Sequence, residues 1–307
     1  MSKELYKKYR PKTFADVIGQ DHVIKPLQKM IAKDELPHAI LLTGPKGNGK
    51  TTVGRILRRE LQCSNWDFVE KNCSSDRGID LIRDIERKAN LAPMQGKTRV
   101  WLFDEVHMLT GEASNAFLKI LEEPPAHVYF ILCTTDPQKL IATIRSRCTE
   151  FALKPLGTAP LRKIITQICK SEKIELDEEV IDKLLVQADN SARNALVLLD
   201  KIRHVDAKNQ LDTLSEVSIE TAAIQIARTL FNPTTRWPDM AKVLKSTELQ
   251  EVEGMRYLIL AYAKTILLSG GKFADRAYQV IRVFEDNWYD GKAASLCACC
   301  YEIITGK

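Results

Sequence analysis

Hydrophobic and polar positions follow different patterns in the two halves of this chain. In the first half, short apolar runs predict buried strands, and these runs alternate with stretches whose apolar residues recur at helical spacing. The predicted strands cover residues 39–42, 68–71, 100–103, 128–133 and 150–153. The predicted helices between them cover residues 51–61, 78–90 and 112–121. This alternation is typical of an α/β fold, in which helices cover a parallel sheet.

The strand pattern stops after Pro155. From there to the end of the chain, apolar residues recur at helical spacing, and Asp177 and Ser191 are candidate N-caps. We therefore predict an α/β domain at 1–153, a small helical domain at 154–207 and an all-helical domain at 208–307. Apolar residues of the last domain are candidates for a core or for a contact surface: Trp237, Leu258, Ile259, Leu260, Tyr262, Ile266, Leu267, Trp288 and Tyr289.

Residues 44–51 read G-P-K-G-N-G-K-T and follow the first predicted strand. They fit the phosphate-binding pattern G-x-x-x-x-G-K-[ST], in which glycines let backbone N–H groups close around an anion. Lys50 would reach the β- and γ-phosphates of a nucleotide, and the Thr51 hydroxyl would bind Mg²⁺. A predicted helix begins at the end of the loop, so its N-terminus would also face the phosphates. The predicted nucleotide contacts here are Gly44, Pro45, Lys46, Gly47, Asn48, Gly49, Lys50, Thr51 and Thr52.

Two acidic residues, Asp104 and Glu105, follow the predicted strand 100–103. An apolar strand that ends in Asp-Glu is the usual partner of a phosphate loop. Asp104 would hold Mg²⁺ through water or through the Thr51 hydroxyl, and Glu105 would act as a general base on the attacking water. The alternative is a strand that merely ends in solvated acids, and the loop at 44–51 makes that alternative the weaker one.

Two threonines, Thr134 and Thr135, follow the predicted strand 128–133. The carboxyl end of a parallel strand is where ligand groups lie, so one of the two hydroxyls is a candidate to orient the water. Threonine also favours strands for reasons unrelated to function, and the pattern leaves both interpretations open. Arg147 and Arg193 are ordinary surface charges when they are considered alone.

The composition indicates an ordinary globular protein, but it says little about the function. The chain has 307 residues, 45% of them hydrophobic and 28% charged, as in ordinary globular proteins. The net charge of +5 favours a polyanionic partner only weakly. No apolar run approaches the roughly 18 residues of a membrane span, and the N-terminus lacks the apolar core of a signal peptide. We expect no membrane partner and a cytoplasmic location, or a nuclear one in a eukaryote.

The eight cysteines do not form a recognisable metal motif. Cys63 and Cys73 are too far apart for a C-x₂₋₄-C pair, and no pair of histidines completes them. Cys297, Cys299 and Cys300 lie in an apolar segment of helical character. We predict reduced thiols packed on a helix and no bound zinc.

Three motifs of the first half resemble one branch of a known family. They are D-E-V-H-M-L at 104–109, L-E-E-P-P at 121–125 and T-T-D-P-Q-K-L at 134–140. Together with the phosphate loop, they resemble the AAA+ ATPase superfamily and, more narrowly, the bacterial tau/gamma subunit among the clamp-loader ATPases of DNA replication.

Further motifs extend the resemblance over about residues 4 to 204. Y-R-P-K-T-F at 9–14 and V-I-G-Q at 17–20 resemble the segment that wraps the adenine in that family. D-R-G-I-D at 76–80 resembles the small subunits of replication factor C, and S-R-C at 146–148 is shared by both branches. The resemblance implies adenine contacts from Arg10, Pro11, Val17 and Ile18.

The resemblance also implies catalytic roles beyond those of Lys50 and Glu105. Arg147 is similar to the arginine finger, which enters the ATP site of the neighbouring subunit and is worth about 10³-fold or more in rate. Thr135 is similar to the sensor 1 residue, ahead of Thr134. Arg193 is similar to sensor 2, which reaches from a helical lid onto the γ-phosphate.

At the level of the assembly, the resemblance implies a lid at 154–207 and an oligomerisation collar at 208–307. ATP and Mg²⁺ would bind between subunits of a homo- or hetero-oligomeric arc, of five subunits in this family. The arc would hold open a ring-shaped sliding clamp and admit primer–template DNA, and hydrolysis would release both.

DNA would be bound through phosphate contacts, which need basic side chains. The candidates are Arg77, Arg83, Arg87 and Lys88, around the predicted helix 78–90. Arg77 has the support of the D-R-G-I-D motif. For the other three, an ordinary solvated helix face is an equally good interpretation.

The chain departs from the tau/gamma pattern in two ways. The four-cysteine zinc module that follows the phosphate-loop helix is missing, and we expect no long C-terminal extension. These departures resemble a minimal clamp-loader subunit of viral or archaeal style, in a host cytoplasm or replication compartment if viral. Two rival hypotheses stay open: another AAA+ ATPase that acts on DNA, such as a branch-migration motor or an initiator, and a non-hydrolysing structural clamp-loader subunit.

Overall fold

Five strands pair into one parallel sheet in the part of the chain that the structure, a computed structural model, describes: residues 4–247, 252–271, 273–286 and 292–306. The strands are β1 Ala39–Thr43, β2 Phe68–Asn72, β3 Arg99–Asp104, β4 Val128–Thr134 and β5 Thr149–Ala152. Their order across the sheet is β2-β3-β4-β1-β5. Each strand end lies within one residue of its predicted position, and the α/β prediction is confirmed.

The register of the strands decides which residues meet at the carboxyl edge of the sheet. Thr43 at the end of β1 lies opposite Thr134 at the end of β4. Asp104 at the end of β3 lies opposite Asn72 at the end of β2. Because β3 also pairs with β4, the chain segments that follow β1, β3 and β4 leave the sheet at the same edge.

Helices cover both faces of the sheet, because successive residues of a strand point to opposite sides. In β3, Trp101 and Phe103 belong to one buried apolar cluster, and Val100 and Leu102 belong to another. The helices that lie wholly within the compact unit Met1–Ala207 are α1 Leu5–Lys8, α2 Asp21–Ala32, α3 Lys50–Glu60, α4 Ile79–Ala89, α5 Gly111–Glu122, α6 Ala142–Arg147, α7 Thr158–Glu172, α8 Glu178–Gln187 and α9 Ala192–Ile202.

Helix α2 was not predicted from the sequence, and it contains a proline, Pro26, in its interior. A proline in a helix interior costs about 3 kcal/mol because it removes a hydrogen bond and crowds the preceding turn. The same helix buries Val23, Ile24 and Leu27, and each such side chain contributes about 1.5–3 kcal/mol. Burial in the core therefore outweighs the cost of the proline.

The segment that follows β5 is helical, and the two predicted N-caps lie at helix starts. Ser191 is the N-cap of α9, and its hydroxyl accepts a hydrogen bond from the backbone N–H of Asn194. Asp177 occupies the N-cap position of α8 without a side-chain cap hydrogen bond. The side chain of its N-cap residue therefore stabilises the start of α9 but not the start of α8.

The compact unit Lys208–Lys307 is built of helices in its described residues. Its helices are α10 Ala207–Phe231, which begins one residue before the unit, α11 Trp237–Ser246, α12 Val252–Leu268, α13 Ala274–Val283 and α14 Lys292–Thr305. Of the predicted apolar candidates, Ile259 is fully buried and Leu258 is 37% exposed. Trp237 packs edge-on against Tyr301, with ring centroids 4.9 Å apart. The remaining candidates on α12 are partly buried against the same core, and two lie outside the described residues, Trp288 and Tyr289.

The cysteines are free thiols, and Cys300 of α14 is buried. Burial raises the pKa of the Cys300 thiol, so it stays protonated at neutral pH. Within the described ranges, no group of three or more His, Cys, Asp or Glu side chains is arranged to hold a metal ion. None of the described helices has both the length and the apolar character needed to cross a bilayer.

A buried carboxylate, Asp67, holds the loop between α4 and β3. Its side chain is fully buried and accepts hydrogen bonds from the backbone N–H groups of Met94 (2.7 Å) and Gln95 (2.8 Å). It also accepts from the Ser64 hydroxyl (2.7 Å) and the Arg99 guanidinium (3.1 Å). Burial alone would raise the pKa of Asp67, but these donors outweigh it and lower the pKa from 3.8 to about 2.

The lowered pKa of Asp67 predicts how stability depends on pH. Because the folded-state pKa lies below the unfolded one, the carboxylate stabilises the fold above about pH 4, and this contribution is lost towards about pH 2. We expect Asp67→Asn to lower the free energy of unfolding by about 2–3 kcal/mol at neutral pH. The difference from the wild type should narrow as the pH falls through this window. Urea denaturation between neutral pH and about pH 3 would measure it.

Asp80→Asn is the matched control, because the Asp80 side chain is 92% exposed. Its effect should stay within about 0.5 kcal/mol at every pH. A difference between wild type and Asp67→Asn that is the same at neutral and acid pH would contradict the role given to the charge.

Candidate nucleotide-binding site

The phosphate loop at 44–51 connects β1 to α3, as the motif predicts. Gly44 has φ +134° and Gly47 has φ +82°, values that residues with a side chain rarely adopt. A Cβ atom at Gly44 would lie 2.2 Å from the carbonyl oxygen of Leu153, and one at Gly47 would lie 2.2 Å from Oγ of Ser191. The two glycines therefore let the loop pass close to the end of β5 and to the start of α9.

Lys50, the first residue of α3, is buried under the loop. Its Nζ donates hydrogen bonds to the carbonyl oxygens of Gly44 (2.8 Å) and Pro45 (3.0 Å). Burial lowers the pKa of Lys50, and the negative charges of Asp104 and Glu105 partly oppose this shift. An ammonium group has three donors, so one remains to bind a phosphate oxygen.

The Thr51 hydroxyl donates a hydrogen bond to Oδ2 of Asp104 over 3.0 Å. Thr51 lies in the first turn of α3 and Asp104 ends β3, so the parallel register brings them together. A hydroxyl oxygen beside a carboxylate fits Mg²⁺, which takes oxygen ligands and is usually held by one or two carboxylates together with substrate phosphates. These two residues would hold the ion, whose charge would offset that of the phosphates.

Glu105 follows β3 in a left-handed backbone conformation, with φ +52°. Its backbone N–H donates to Oδ1 of Asp104 (3.1 Å), and its Oε2 accepts a hydrogen bond from the Thr135 hydroxyl (3.1 Å). The turn directs the carboxylate toward the residue after β4. The site therefore pairs an acid with a hydroxyl from the neighbouring strand end.

Thr134, which ends β4, and Thr135, which follows it, occupy different environments. Thr134 is fully buried, and its Oγ1 accepts from the backbone N–H of Asp136 (3.0 Å) and lies 2.8 Å from Nδ1 of His107. Thr135 instead contacts Glu105, so it is the threonine placed next to the candidate base. Sequence reasoning did not single out His107, whose Nδ1 lies 3.4 Å from Oε2 of Glu105.

A cavity of about 850 Å³ opens over the phosphate loop. It is large enough for a nucleotide, since small-molecule pockets span about 300–1,000 Å³. Its walls include these predicted contacts: Arg10, Pro11, Val17, Ile18, Lys46, Gly47, Asn48, Gly49, Lys50, Thr51, Thr52, Asp104, Glu105 and Arg193. Two predicted contacts, Gly44 and Pro45, are not among the wall residues, and their carbonyl oxygens accept hydrogen bonds from Lys50. Tyr9, the first residue of the Y-R-P-K-T-F motif, also lines the cavity. Sequence reasoning missed several other apolar and aromatic wall residues: Tyr6, Leu156, Ile164, Ile168 and Leu196.

The two predicted arginines lie at different places relative to the cavity. Arg193, in the first turn of α9, lines it, and its backbone N–H donates to the carbonyl oxygen of Gly47 over 3.3 Å. Arg147 ends α6 and is not part of the cavity wall. Its guanidinium donates to the carbonyl oxygen of Thr143 and to Oε1 of Glu122, each over 3.0 Å. Arg147 therefore does not complete the cavity of its own chain.

The four DNA candidates lie on α4 or just before it. Three of them face acids of the same helix: Arg83 lies 3.4 Å from Asp80, Arg87 lies 3.6 Å from Asp84, and Lys88 lies 2.7 Å from Asp84. Arg77 is exposed, and no carboxylate of the described chain lies within ion-pair distance of it. Its positive charge is therefore the least compensated of the four.

The sheet order, the phosphate loop and the helical segment beside the loop define the AAA+ class of nucleotide-binding proteins. Among solved structures, the Thermotoga maritima RuvB Holliday junction branch migration motor matches with a TM-score of 0.61 and 21% sequence identity. The match covers 78% of this chain and 86% of that one, and it shows a shared fold.

The chain is homologous to the DNA polymerase III gamma/tau subunits. It is 37% identical over 221 residues to subunit gamma/tau of Mycobacterium tuberculosis, and 38% identical over 218 residues to subunit tau of Escherichia coli. Each match covers 64% of this chain, which spans 38% and 34% of the two relatives. Subunit gamma of Buchnera aphidicola is 35% identical over 236 residues, which are 68% of this chain and 65% of that protein.

Residues 19–81 and 68–157 match the family described as DNA polymerase III, delta subunit. The resemblance to clamp-loader AAA+ subunits that the motifs predicted is confirmed by these matches. The homology also implies the use of nucleotide and Mg²⁺.

The position of Lys50 predicts that nucleotide binding depends on it. We expect Lys50→Ala to weaken ATP binding by about 10- to 100-fold, because a hydrogen-bonded charge pair with the phosphates is lost. Titration with a fluorescent ATP analogue in the presence of Mg²⁺ would measure the change.

Lys46→Ala is the matched control, since Lys46 lies in the same loop but is exposed. It should weaken binding by about 3-fold or less. Equal losses in the two variants would show that Lys50 acts only through the net charge of the loop.

Proposed function

We propose that this chain is the ATP-hydrolysing subunit of a sliding-clamp loader, which opens a ring-shaped clamp and places it on primer–template DNA. The observation that carries the proposal is that Lys50, Thr51, Asp104 and Glu105 line one cavity. Thr51 donates to Asp104, and Thr135, which is not a wall residue, donates to Glu105. This arrangement occurs in a chain homologous to the DNA polymerase III gamma/tau subunits.

Each of these side chains has a separate role in ATP hydrolysis. Lys50 binds the β- and γ-phosphates, and Thr51 and Asp104 hold Mg²⁺. Glu105 accepts a proton from the attacking water, while the Thr135 hydroxyl orients the Glu105 carboxylate. Thr135 is preferred to Thr134 as the sensor because its hydroxyl contacts Glu105 (3.1 Å).

The helical residues 154–207 act as a lid on the cavity, and Arg193 is its contact with the γ-phosphate. Support comes from the first turn of α9, which lies against the phosphate loop at Gly47. The adenine would contact Arg10, Pro11, Val17 and Ile18, which line the same cavity. ATP therefore joins the sheet to the lid.

Arg147 completes the ATP site of a neighbouring subunit. It is absent from the wall of its own cavity, and Glu122 holds its guanidinium at the surface. The helices of residues 208–307 join the subunits of an arc, in which five subunits surround the DNA. No bound zinc takes part.

DNA is bound through its phosphates, with Arg77 as the main contact of α4 and the helix start before it. The acids that face Arg83, Arg87 and Lys88 reduce the contribution of these three residues. The fold similarity to a branch-migration motor is general to the class, and no described feature of the site favours that activity over clamp loading.

Replacement of Glu105 tests whether the chain hydrolyses ATP itself. We expect Glu105→Gln to lower the ATPase rate by at least about 100-fold while ATP binding is retained, because the amide cannot accept the proton. The rate would be measured with and without primed DNA and a candidate clamp, and DNA and clamp together should stimulate the wild type.

Glu112→Gln, on the exposed first turn of α5, is the control and should keep the wild-type rate. Unchanged hydrolysis in Glu105→Gln would refute the catalytic role of Glu105. A wild type that binds ATP and does not hydrolyse it would support a non-hydrolysing structural subunit. A wild type that hydrolyses ATP but ignores both DNA and clamp would point to a different AAA+ role.

A mixing experiment tests whether Arg147 acts on the neighbouring subunit. We expect Arg147→Ala to lower the ATPase rate of the assembled complex by about 10³-fold. Mixed with Glu105→Gln subunits, which keep the arginine, the Arg147→Ala subunits regain an intact site at shared interfaces. The mixture should therefore hydrolyse ATP faster than either variant alone.

Arg145→Ala removes a guanidinium two residues away on α6 and should leave most of the rate intact. If the mixture is no faster than its components although the subunits co-assemble, Arg147 does not act between subunits. An Arg147→Ala complex with the wild-type rate would remove the arginine from the mechanism altogether.

A further inference from the structure

We propose that Tyr6 is a positioning residue for Arg193 and thereby strengthens the preference of the site for ATP over ADP. Its ring holds the guanidinium beside the phosphate loop before the nucleotide arrives. The inference rests on the proposed function, because it concerns recognition of the γ-phosphate at the same site. Tyr6 lies before the motif that resembles the adenine-binding segment, and the roles considered above do not include it.

The contact between the two side chains has the geometry of a cation–π interaction. Cζ of Arg193 lies 4.8 Å from the centroid of the Tyr6 ring, within the roughly 6 Å over which such pairs attract. In the part of the chain that the structure describes, no carboxylate lies within ion-pair distance of Arg193. Glu4, the acid nearest in sequence to Tyr6, is paired with Lys7 instead. The Tyr6 ring is therefore the group against which the Arg193 guanidinium stacks.

The packing of α1 fixes the position of the ring relative to α9. Leu5 is fully buried, and its backbone N–H donates to Oδ2 of Asp200 over 2.7 Å. Lys8 and the Tyr9 hydroxyl both bind the carboxylate of Glu172 at the end of α7. Tyr6 and Arg193 therefore lie on elements that are held together independently of any ligand.

Both side chains also lie at the candidate nucleotide site. Tyr6 and Arg193 line the same cavity as Gly47 and Lys50. A Cβ atom at Gly47 would lie 3.1 Å from Cβ of Arg193, so the base of the arginine side chain is close to the loop. The pair is therefore placed where the terminal phosphate of a bound triphosphate would meet the lid.

Stacking leaves the arginine free to bind phosphate. The N–H donors of a guanidinium point outward in the plane of the group, whereas an aromatic ring stacks on the flat face of the guanidinium. Arg193 can therefore keep its contact with Tyr6 and donate to a phosphate oxygen at the same time. A long side chain that is already ordered loses less conformational entropy on binding, which increases affinity for the ligand that it contacts. ADP lacks the γ-phosphate and gains nothing from this ordering.

Calorimetric titration with ADP and with a non-hydrolysable ATP analogue tests the inference. We expect Tyr6→Leu to weaken binding of the ATP analogue by about 3- to 10-fold and that of ADP by less than about 2-fold. Tyr6→Phe keeps the aromatic face and should restore the ATP analogue to within about 2-fold of the wild type. In an Arg193→Ala background, Tyr6→Leu should add less than about a 2-fold change.

The double variant, Tyr6→Leu with Arg193→Ala, distinguishes a positioning role of Tyr6 from a purely structural one. If Tyr6→Leu weakens ADP and the ATP analogue equally, or acts as strongly without Arg193 as with it, the inference is wrong. Tyr6→Met is the second variant, to be used if the leucine variant unfolds at a lower temperature. Tyr278→Leu, an exposed tyrosine of the unit Lys208–Lys307, should leave both affinities unchanged.

Failure of the inference can be told from failure of the proposed function. If Arg193→Ala alone leaves the ratio of ATP-analogue to ADP affinity unchanged, Arg193 does not read the γ-phosphate, and the role of Tyr6 falls with it. If Arg193→Ala changes the ratio and Tyr6→Leu does not, the role of Arg193 stands and that of Tyr6 is wrong.

Discussion

The parallel register of the central strands is the constraint on which the candidate site depends. Parallel pairing of β1, β3 and β4 brings three strand ends to one edge. The Thr51–Asp104 hydrogen bond joins the loop after β1 to the end of β3, and the Thr135–Glu105 hydrogen bond joins the residues after β4 and β3. A slip of one residue in a strand would exchange its buried faces as well as displace these groups. The core and the site therefore demand the same register.

Rigidity at this edge comes from the burial of the strands on both faces. Phe103 of β3 and Phe130 of β4 each pack edge-on against Phe117 of α5 on one side of the sheet. On the other side, Leu102 and Ile131 pack in the cluster that contains the apolar side chains of α3. The side chains that would bind Mg²⁺ and activate water extend from these fixed strand ends. They therefore lose little conformational entropy when the nucleotide binds.

The backbone at Glu105 shows that this edge also carries local strain. A left-handed conformation costs a residue with a side chain about 1–2 kcal/mol. The conformation is maintained by the hydrogen bonds from its own N–H to Asp104 and from Thr135 to its carboxylate. Strained residues of this kind cluster at functional sites, where the surrounding structure imposes them. The strain accords with a carboxylate placed for chemistry and not for stability.

Much of the site is local in the chain and could be predicted from it. The phosphate loop is one run of eight residues, and the Asp-Glu pair follows an apolar strand directly, so spacing alone identified both. Apolar runs also placed the central strands β1, β3 and β4, because burial on both faces leaves continuous apolar stretches. An internal proline normally ends or kinks a helix, and the burial that stabilises helix α2 cannot be read from the local sequence.

The family resemblance already favoured Thr135 over Thr134, but only the tertiary structure shows their different partners, which lie 27 and 30 residues away in the chain. The tertiary structure alone placed Arg147 outside its own cavity and Tyr6 against Arg193, although local motifs suggested roles for both arginines. Which way a side chain faces is decided by strand register and helix packing. Those are contacts between residues distant in the chain, and no local pattern of residues specifies them.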